Sequence, residues 1–233
     1  MEVYITEQEQ IEQLKKIWRD YGKLTLWTVA IVLLVIFGWR SYSRYETQVA
    51  VNASVIYEEL FTAVSAHDNA AITANAQLLM TKYQSLPYAS DAALILAKIN
   101  VEQGNLAGAA DNLQWVLKHS KTASLRQVAR LRLARILIAQ KQPTQAITLL
   151  ETIDNSAYIG SIDFVKGDAL LALGKKQEAR EQYRLALQVL PQDAVITPIV
   201  TMKFESLATP QDMMVAPHAV QQNKTPQVSV TTK

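Results

Sequence analysis

The hydrophobic residues of this chain follow two patterns, a continuous apolar run near the N-terminus and a helical periodicity over most of the remainder. The run Leu24–Trp39 contains no charged residue. From Glu46 to about Leu207, apolar positions recur every three or four residues, which is the spacing of one helix face. Turn-forming residues divide this second pattern into paired helices, and they are His67-Asp68-Asn69, Ser85-Leu86-Pro87, Gly104-Asn105, Pro143, Gly174 and Pro191. The pattern predicts an all-α protein.

Residues 22–42 are predicted to form a single transmembrane helix. The uncharged run covers about 24 Å at ~1.5 Å per residue, slightly less than a hydrocarbon core of roughly 30 Å. Lys23 and Arg40 flank it and can extend their charges to the two membrane–water interfaces, where Trp39 also fits. A buried core helix would need a larger protein around it, and a signal peptide would need a short basic leader and a nearby cleavage site. The membrane anchor is therefore the favoured interpretation.

Basic residues near the two ends of the run predict its orientation. Four precede it and two follow it, namely Lys15, Lys16, Arg19 and Lys23, then Arg40 and Arg44. Because cytoplasmic flanks carry the excess of Lys and Arg, residues 1–21 are predicted to be cytoplasmic and residues 43–207 to lie on the other side. Apolar residues at helical spacing make the tail amphipathic. It either lies on the membrane surface or extends the anchor helix, and the second interpretation is favoured.

The helix pairs after residue 90 repeat with a common phase. The clearest unit, about 160–193, has small residues where two helices of a ~34-residue unit must approach closely, at Gly167, Ala179 and Ala186. The units at about 127–160 and 90–123 share this phase, with Ala134 and Ala146 in one and Ala97 and Ala109 in the other. This spacing predicts a tetratricopeptide repeat-like α-solenoid. Helical hairpins without a superhelix are the alternative, and the pair at about 46–84 is too degenerate to align.

Stacked units would turn their first helices toward a concave face suited to extended or helical peptides. Repeat positions 2, 5, 9, 12 and 13 belong to that face. Positions 5 and 9 of the three units are predicted partner contacts, and they are Leu94, Lys98, Leu131, Arg135, Phe164 and Asp168. The alternative is that these residues only solvate a helix face.

Charge and composition argue against nucleic-acid binding and catalysis. Between Glu46 and Leu207 the chain has equal numbers of basic and acidic residues, so it has no general attraction for nucleic acid. It contains no cysteine, its three histidines are isolated, and no catalytic or phosphate-binding motif occurs. We therefore predict neither an enzyme nor a bound metal or cofactor.

Two further segments have a pattern of their own. One predicted helix contains four arginines, for which a solvated face is favoured over a surface for an acidic partner; they are Arg126, Arg130, Arg132 and Arg135. Residues 208–233 contain three prolines and many polar residues, and they are predicted to be a disordered tail.

Six short segments occur in a recognisable order along residues 1–207. They are Met1-Glu-Val-Tyr4, Gly38-Trp39-Arg40, Leu131-Arg-Leu-Ala-Arg135, Lys166-Gly-Asp-Ala-Leu170, Gly174-Lys-Lys-Gln-Glu-Ala-Arg180 and Met202-Lys203. Together they resemble the YfgM-like family, the ancillary subunits of the bacterial SecYEG translocon. The resemblance rests on order and spacing rather than on one diagnostic motif, and the tail after Ala208 departs from it.

The resemblance implies a place and a role. Members are bacterial inner-membrane proteins with a periplasmic tetratricopeptide-like domain, so residues 43–207 would be periplasmic. The implied role is chaperone-like, helping secreted or outer-membrane proteins after Sec-dependent translocation. The implied partners are the SecYEG translocon, a membrane-anchored periplasmic chaperone of prolyl-isomerase type and unfolded client polypeptides. The residues alone support a tethered protein-binding scaffold, which would equally serve as a structural scaffold in another cell-envelope assembly.

Overall fold

The computed structural model describes residues 7–208, and every regular element in this range is helical. Nine α-helices and one 3₁₀ turn follow each other along the described chain. Their bounds are α1 Glu7–Ser65, α2 Asn69–Lys82, α3 Pro87–Glu102, α4 Leu106–His119, α5 Ala123–Ala139, α6 Pro143–Leu149, a 3₁₀ turn Ser156–Tyr158, α7 Ile159–Ala172, α8 Lys176–Val189 and α9 Thr197–Ser206. The predicted all-α class is confirmed. The predicted disordered tail lies, from residue 209 onward, outside the described residues.

Helix α1 contains the predicted anchor. It is one uninterrupted helix, so residues 7–21 extend the helix of the predicted span 22–42, as the favoured interpretation of the tail requires. The stretch Leu26–Ser65 is long and apolar enough to cross a membrane. Its apolar side chains are exposed, with Leu33 60% and Phe37 74% accessible. Such a surface is stable in hydrocarbon and costly in water.

The chain divides into two compact units between Ile56 and Tyr57, and the second unit contains the helix pairs. Within it, neighbouring helices pack along the chain order from α2 to α9. One hydrophobic cluster is built from α3, α4 and α5, and another from α5 to α9. Helix α5 contributes to both clusters. Its apolar side chains therefore join the two halves into one stack, as expected of repeats that cannot bury their hydrophobic faces alone.

Small residues mark the helix crossings, as the repeat alignment predicted. Gly167 of α7 faces Tyr183 of α8 so closely that a Cβ built on Gly167 would lie 2.6 Å from Cδ1 of the tyrosine. Ala179 and Ala186 of α8 are fully buried, and so is Ala134 in the preceding unit. The tyrosine ring fills the space that the missing side chain leaves. This pairing of the smallest residue with a large ring sets the separation of α7 and α8.

The turns inside the helix pairs share one backbone conformation. His67, Gly104, Lys141 and Gly174 all have positive φ, between 57° and 77°. In each turn the next residue donates its N–H to a carbonyl five residues back, as Asn105 does to Asn100 at 2.8 Å and Gln142 to Leu137 at 2.8 Å. This hydrogen bond and the left-handed residue before it form a Schellman motif.

The same turn also occurs in the helix pair at about 46–84, which was too degenerate to align with the repeats. The end of α1 and helix α2 are joined at His67-Asp68, where Asp68 N–H donates to the carbonyl of Ala63 at 3.0 Å. The side chain of Asp68 caps α2 by accepting hydrogen bonds from the N–H groups of Ala70 and Ala71. Within the described residues, the compact unit that begins at Tyr57 therefore contains four helix hairpins with the same turn.

Replacing Lys141 with glycine should raise the free energy of unfolding by about 0.5–1 kcal/mol, because glycine adopts positive φ without a steric cost. The reverse change, Gly174→Ala, should lower it by about 1 kcal/mol. The measurement is urea unfolding followed by circular dichroism at 222 nm. Gln140→Gly is the matched control, since Gln140 has φ −77° and gains nothing from glycine. A Lys141→Gly variant no more stable than Gln140→Gly would contradict the left-handed turn.

Candidate functional site

A groove opens between the first helices of two neighbouring units, α3 and α5, above the second helix α4. Its volume is about 420 Å³, within the range of ligand-binding clefts. The apolar lining consists of Ala97, Val101, Leu106, Leu113, Ile136 and Ala139. Charged residues complete the lining, and they are Lys98 and Glu102 on α3 with Arg132 and Arg135 on α5. We call this site the α3–α5 groove.

Two of the six predicted partner contacts lie in the groove. Lys98 is exposed and forms an ion pair with Glu102 one helical turn later, at 3.6 Å. Arg135 lies on the opposite wall. Exposed ion pairs of the Lys98 kind contribute about 0–1 kcal/mol and open readily. Both side chains are therefore placed where a ligand could reach them.

The predicted contacts at repeat position 5 are buried in the domain. Leu94 belongs to the cluster of α3, α4 and α5, while Leu131 and Phe164 belong to the cluster of α5 to α9. Their exposed fractions are 9%, 5% and 6%. They support the helices that carry the groove walls. Their direct contact with a partner stays a prediction.

Asp168, the position 9 residue of the third unit, is held by contacts within the chain. Its carboxylate accepts a hydrogen bond from the hydroxyl of Tyr183 at 2.7 Å and one from Lys203 Nζ at 2.5 Å. Burial and the neighbouring carboxylate raise the pKa of Tyr183, so the phenol stays protonated and donates. Lys203 also lies over the ring of Phe164, 5.0 Å from its centroid. The Lys203 side chain of α9 therefore occupies the surface around position 9 of the third unit, whereas the position 9 residues of the first two units, Lys98 and Arg135, line an open groove.

The charges on the two groove walls differ. On α3, Lys98 and Glu102 compensate each other. On α5, Arg132 and Arg135 are both exposed, and among the described residues neither has an acidic partner within ion-pair distance. Desolvation lowers the pKa of Arg135, the more distant Asp168 partly restores it, and Arg132 lowers it further. The α5 wall therefore presents two positive charges that have no ion-pair partner among the described residues.

The four arginines of α5 do not form the single solvated face favoured by the sequence. Arg126 Nε and one guanidinium nitrogen of Arg130 hydrogen-bond to the two carboxylate oxygens of Asp154, at 3.0 and 2.8 Å. The side chains of Arg130 and Asp154 are each only 12% exposed. The favoured interpretation was wrong for this pair, because residues four apart share a helix face that the α6–α7 connection covers. Arg132 and Arg135 point to a different side, into the groove.

Gln127 of α5 also binds the connection between α6 and α7. It is fully buried, and its Oε1 accepts hydrogen bonds from the backbone N–H groups of Asp154 at 2.8 Å and Asn155 at 3.4 Å. Ser124 accepts a further bond from the side chain of Asn155 at 2.9 Å. These contacts attach the loop between the second and third repeat units to helix α5.

Asp154→Asn should lower the free energy of unfolding at pH 7 by about 1–3 kcal/mol, between the values for exposed and buried ion pairs. Desolvation opposes ionisation of Asp154, but the hydrogen bonds from Arg130 and Arg126 outweigh it and hold its pKa below the ordinary value. The stabilisation is then complete above an unfolded-state pKa of about 3.9 and disappears as the pH falls through the lower folded-state pKa.

Urea unfolding of both proteins between pH 3 and pH 7 measures this difference. Glu178→Gln is the control, since Glu178 pairs with Lys175 at an exposed site and should show little change at any of these pH values. A constant difference between wild type and Asp154→Asn down to pH 3 would contradict a depressed pKa.

Of the predicted membrane-interface anchors, two can be located. Trp39 and Arg40 lie in α1 with exposed side chains, Trp39 being 79% accessible. The side chain of Lys23 lies outside the described residues. The two located side chains are available to a membrane surface, and their role as interface anchors stays a prediction.

The sequence contained a signal for several groove residues that were not among the predicted contacts. Val101 and Glu102 occupy repeat positions 12 and 13 of their unit, and Ala139 occupies position 13 of the next. Repeat phase predicts all of these positions on the concave face, whereas the predicted partner contacts are at positions 5 and 9 alone. Arg132 occupies position 6, which is outside the predicted concave positions, so the repeat phase gave no signal for it.

Comparison with known proteins gives a consistent result over most of the chain. Residues 15–209 match the family model described as "Tetratricopeptide repeat-like domain". A protein of Escherichia coli strain K12 is 30% identical over 89% of this chain and 100% of its own length, and one of Neisseria gonorrhoeae is 28% identical over the same shares. Both are named "Ancillary SecYEG translocon subunit".

Among solved structures, a thermophilic tetratricopeptide repeat protein of Thermus thermophilus is a more distant likeness. It has 18% identity and a TM-score of 0.46, over 66% of this chain and 80% of that one. The family model alone covers most of the chain, including every residue of the groove. With the 30% identity over the full length of the Escherichia coli relative, this shows that the chain belongs to the YfgM-like family of tetratricopeptide repeat-like proteins, whose relatives are named ancillary SecYEG translocon subunits.

Proposed function

We propose that this chain is a membrane-tethered, chaperone-like adaptor that acts beside the SecYEG translocon of the bacterial inner membrane. It helps secreted or outer-membrane proteins after Sec-dependent translocation, by binding their extended or helical segments on the groove face of its repeats. The observation that carries the proposal is the open, largely apolar α3–α5 groove in a chain that also has a helix long and apolar enough to cross a membrane. The names of the relatives supply the translocon as the partner.

The anchor contributes through local concentration. A groove confined to the membrane surface next to the translocon exit meets each emerging chain repeatedly. The effective concentration of a tethered site can reach the millimolar range, so weak contacts with many clients suffice. An apolar floor with few polar groups suits such broad recognition, because hydrophobic contact does not depend on direction.

The proposed topology places the N-terminus in the cytoplasm and the repeat domain in the periplasm. The excess of basic residues before the apolar run supports it. Protease added to spheroplasts should digest the chain after about residue 45 and leave a membrane-protected N-terminal fragment. Complete protection of the repeat domain in intact spheroplasts, with digestion only after lysis, would reverse the orientation.

Affinity purification in a mild detergent tests the partners. The translocon subunits should be the main proteins recovered with the full chain, together with a membrane-anchored periplasmic chaperone of prolyl-isomerase type. Recovery of the proteins of another envelope assembly, without the translocon, would replace the proposal with a structural scaffold role. A variant in which the anchor is exchanged for an unrelated single span controls for association through the lipid alone.

Site-specific photocrosslinking tests the groove. A photoreactive residue at position 98 or 135, on the groove walls, should capture emerging polypeptides during translocation in vivo. The matched controls are positions 114 and 145, which are exposed glutamines on the second helices α4 and α6. Equal capture from both sets, or capture from the controls alone, would show that clients do not use this face.

A further inference from the structure

The residues that line the α3–α5 groove indicate which kind of polypeptide segment it binds. This inference rests on the proposed function of the groove in polypeptide binding. We propose that the groove selects polypeptide segments in which apolar side chains are flanked by a carboxylate. The apolar side chains enter the floor between Val101 and Ala139, and the carboxylate binds Arg132 and Arg135 on the α5 wall.

The apolar floor of the groove, formed by Val101, Leu113, Ile136 and Ala139, is open to the side chains of a ligand. Val101 lines the groove and is 45% exposed, and Ala139 on the opposite wall is exposed as well. Beneath them Leu113 and Ile136 are buried, with exposed fractions of 1% and 6%. The small Ala139 on α5 and the partly exposed Val101 on α3 leave room above the apolar layer formed by Leu113 and Ile136. Filling that room removes apolar surface from water, which is the driving force for binding.

The α5 wall adds the requirement for an anion. Arg132 and Arg135 are three residues apart, so they lie on neighbouring turns of one helix face. Within the part of the chain that the structure describes, no carboxylate lies within ion-pair distance of either one. Two neighbouring guanidiniums repel each other, and one carboxylate between them would relieve that repulsion and accept charge-assisted hydrogen bonds from both.

The α3 wall opposes a purely anionic ligand. Glu102 lies on this wall and, among residues 7–208, forms an ion pair with Lys98 alone, at an exposed site. A segment with many carboxylates would bring one of them toward Glu102 and lose binding energy. The arrangement therefore favours a single carboxylate on the α5 side next to apolar side chains, rather than a uniformly acidic sequence.

The test uses the full chain in nanodiscs of phosphatidylcholine and fluorescent synthetic peptides, read by fluorescence anisotropy. Three peptides share two leucines, which are flanked on one side by a single aspartate, asparagine or lysine. A fourth keeps the aspartate and replaces the leucines by serine. We expect the aspartate–leucine peptide to bind about tenfold more tightly than the asparagine one, as one charge-assisted contact would give. The lysine and serine peptides should bind most weakly.

Matched variants assign the preference to the groove. The double variant Arg132→Gln/Arg135→Gln should abolish the tenfold difference between the aspartate and asparagine peptides and its salt dependence. Lys118→Gln/Lys121→Gln removes the same charge from exposed positions outside the groove and should keep both. Ala139→Trp, which fills the floor, should weaken every leucine peptide. Circular dichroism confirms that each variant is folded, and Arg132→Lys/Arg135→Lys should retain part of the preference.

The outcomes separate this inference from the proposed function. Equal binding of the aspartate and asparagine peptides, or a preference that survives in the Arg132→Gln/Arg135→Gln variant, would overturn the carboxylate requirement while leaving peptide binding in place. Displacement of the aspartate peptide by phosphatidylglycerol vesicles, dependent on the same arginines, would make the groove a lipid site instead. Failure of all peptides to bind, together with no crosslinks from positions 98 and 135, would overturn both proposals.

Discussion

Replacing Tyr183 with alanine is expected to lower the free energy of unfolding of the repeat domain by about 3–5 kcal/mol, the cost of truncating a large buried ring. Tyr183 is fully buried, lies against Gly167 and packs 5.9 Å from the ring of Phe164. Its hydroxyl donates to Asp168, which is also bound by Lys203 of α9. The substitution therefore leaves a cavity at the α7–α8 crossing and removes a link to the last helix.

Tyr183→Phe separates the two contributions, because it keeps the ring and removes only the hydrogen bond. Its expected cost is about 1 kcal/mol. Urea unfolding of the full chain in nanodiscs, followed by circular dichroism, measures both variants. Gly167→Ala should also destabilise, by about 1–3 kcal/mol through overpacking, and combining it with Tyr183→Leu should recover part of the loss. A Tyr183→Ala variant no less stable than Tyr183→Phe would contradict this packing of α7 against α8.

The second large effect is expected from charges placed in the anchor. Leu33 and Ile36 lie in the apolar stretch of α1 and are 60% and 56% exposed. In hydrocarbon, each lysine near the centre of a spanning helix costs about 2.5–3.5 kcal/mol, so Leu33→Lys/Ile36→Lys should oppose insertion by about 5–7 kcal/mol. The double variant should leave the membrane fraction on carbonate extraction.

The control carries the same two added charges in the repeat domain, at the exposed positions Gln114 and Gln145. This Gln114→Lys/Gln145→Lys variant should stay in the membrane fraction like the wild type. If the Leu33→Lys/Ile36→Lys variant also resisted extraction, α1 would not be what holds the chain in the membrane.

Several local features of the fold could be predicted from the sequence, because each depends on a residue and its near neighbours along the chain. The breakers Gly104 and Gly174 coincide with left-handed turns, where glycine has a clear steric advantage. His67 and Lys141 adopt the same conformation without glycine, and in the first pair the turn-forming run His67-Asp68-Asn69 indicated the turn. The turn of this pair could therefore be predicted from residue type, although its repeat phase could not be aligned.

Only part of the α3–α5 groove could be predicted from the sequence. Lys98 and Arg135 follow from repeat phase, because repeat position fixes the side of a first helix. Whether a side chain at position 5 can reach a ligand depends on how deeply it is buried, and Leu94, Leu131 and Phe164 are covered by neighbouring helices. Depth is a property of the stack, since it depends on residues in adjacent units that are distant along the chain.

The apolar stretch, the helix pairs and the small residues at their crossings are encoded locally, because hydrophobic periodicity and side-chain size act over one or two helical turns. The partners of the charged side chains are not. Folding alone determines that Arg126 and Arg130 bind Asp154, while the other two arginines of α5 face an open groove. It also brings Asp168 to Lys203, 35 residues further along the chain. Such pairings depend on the rotation and tilt of whole helices, which are set by the summed packing of the stack rather than by any local pattern.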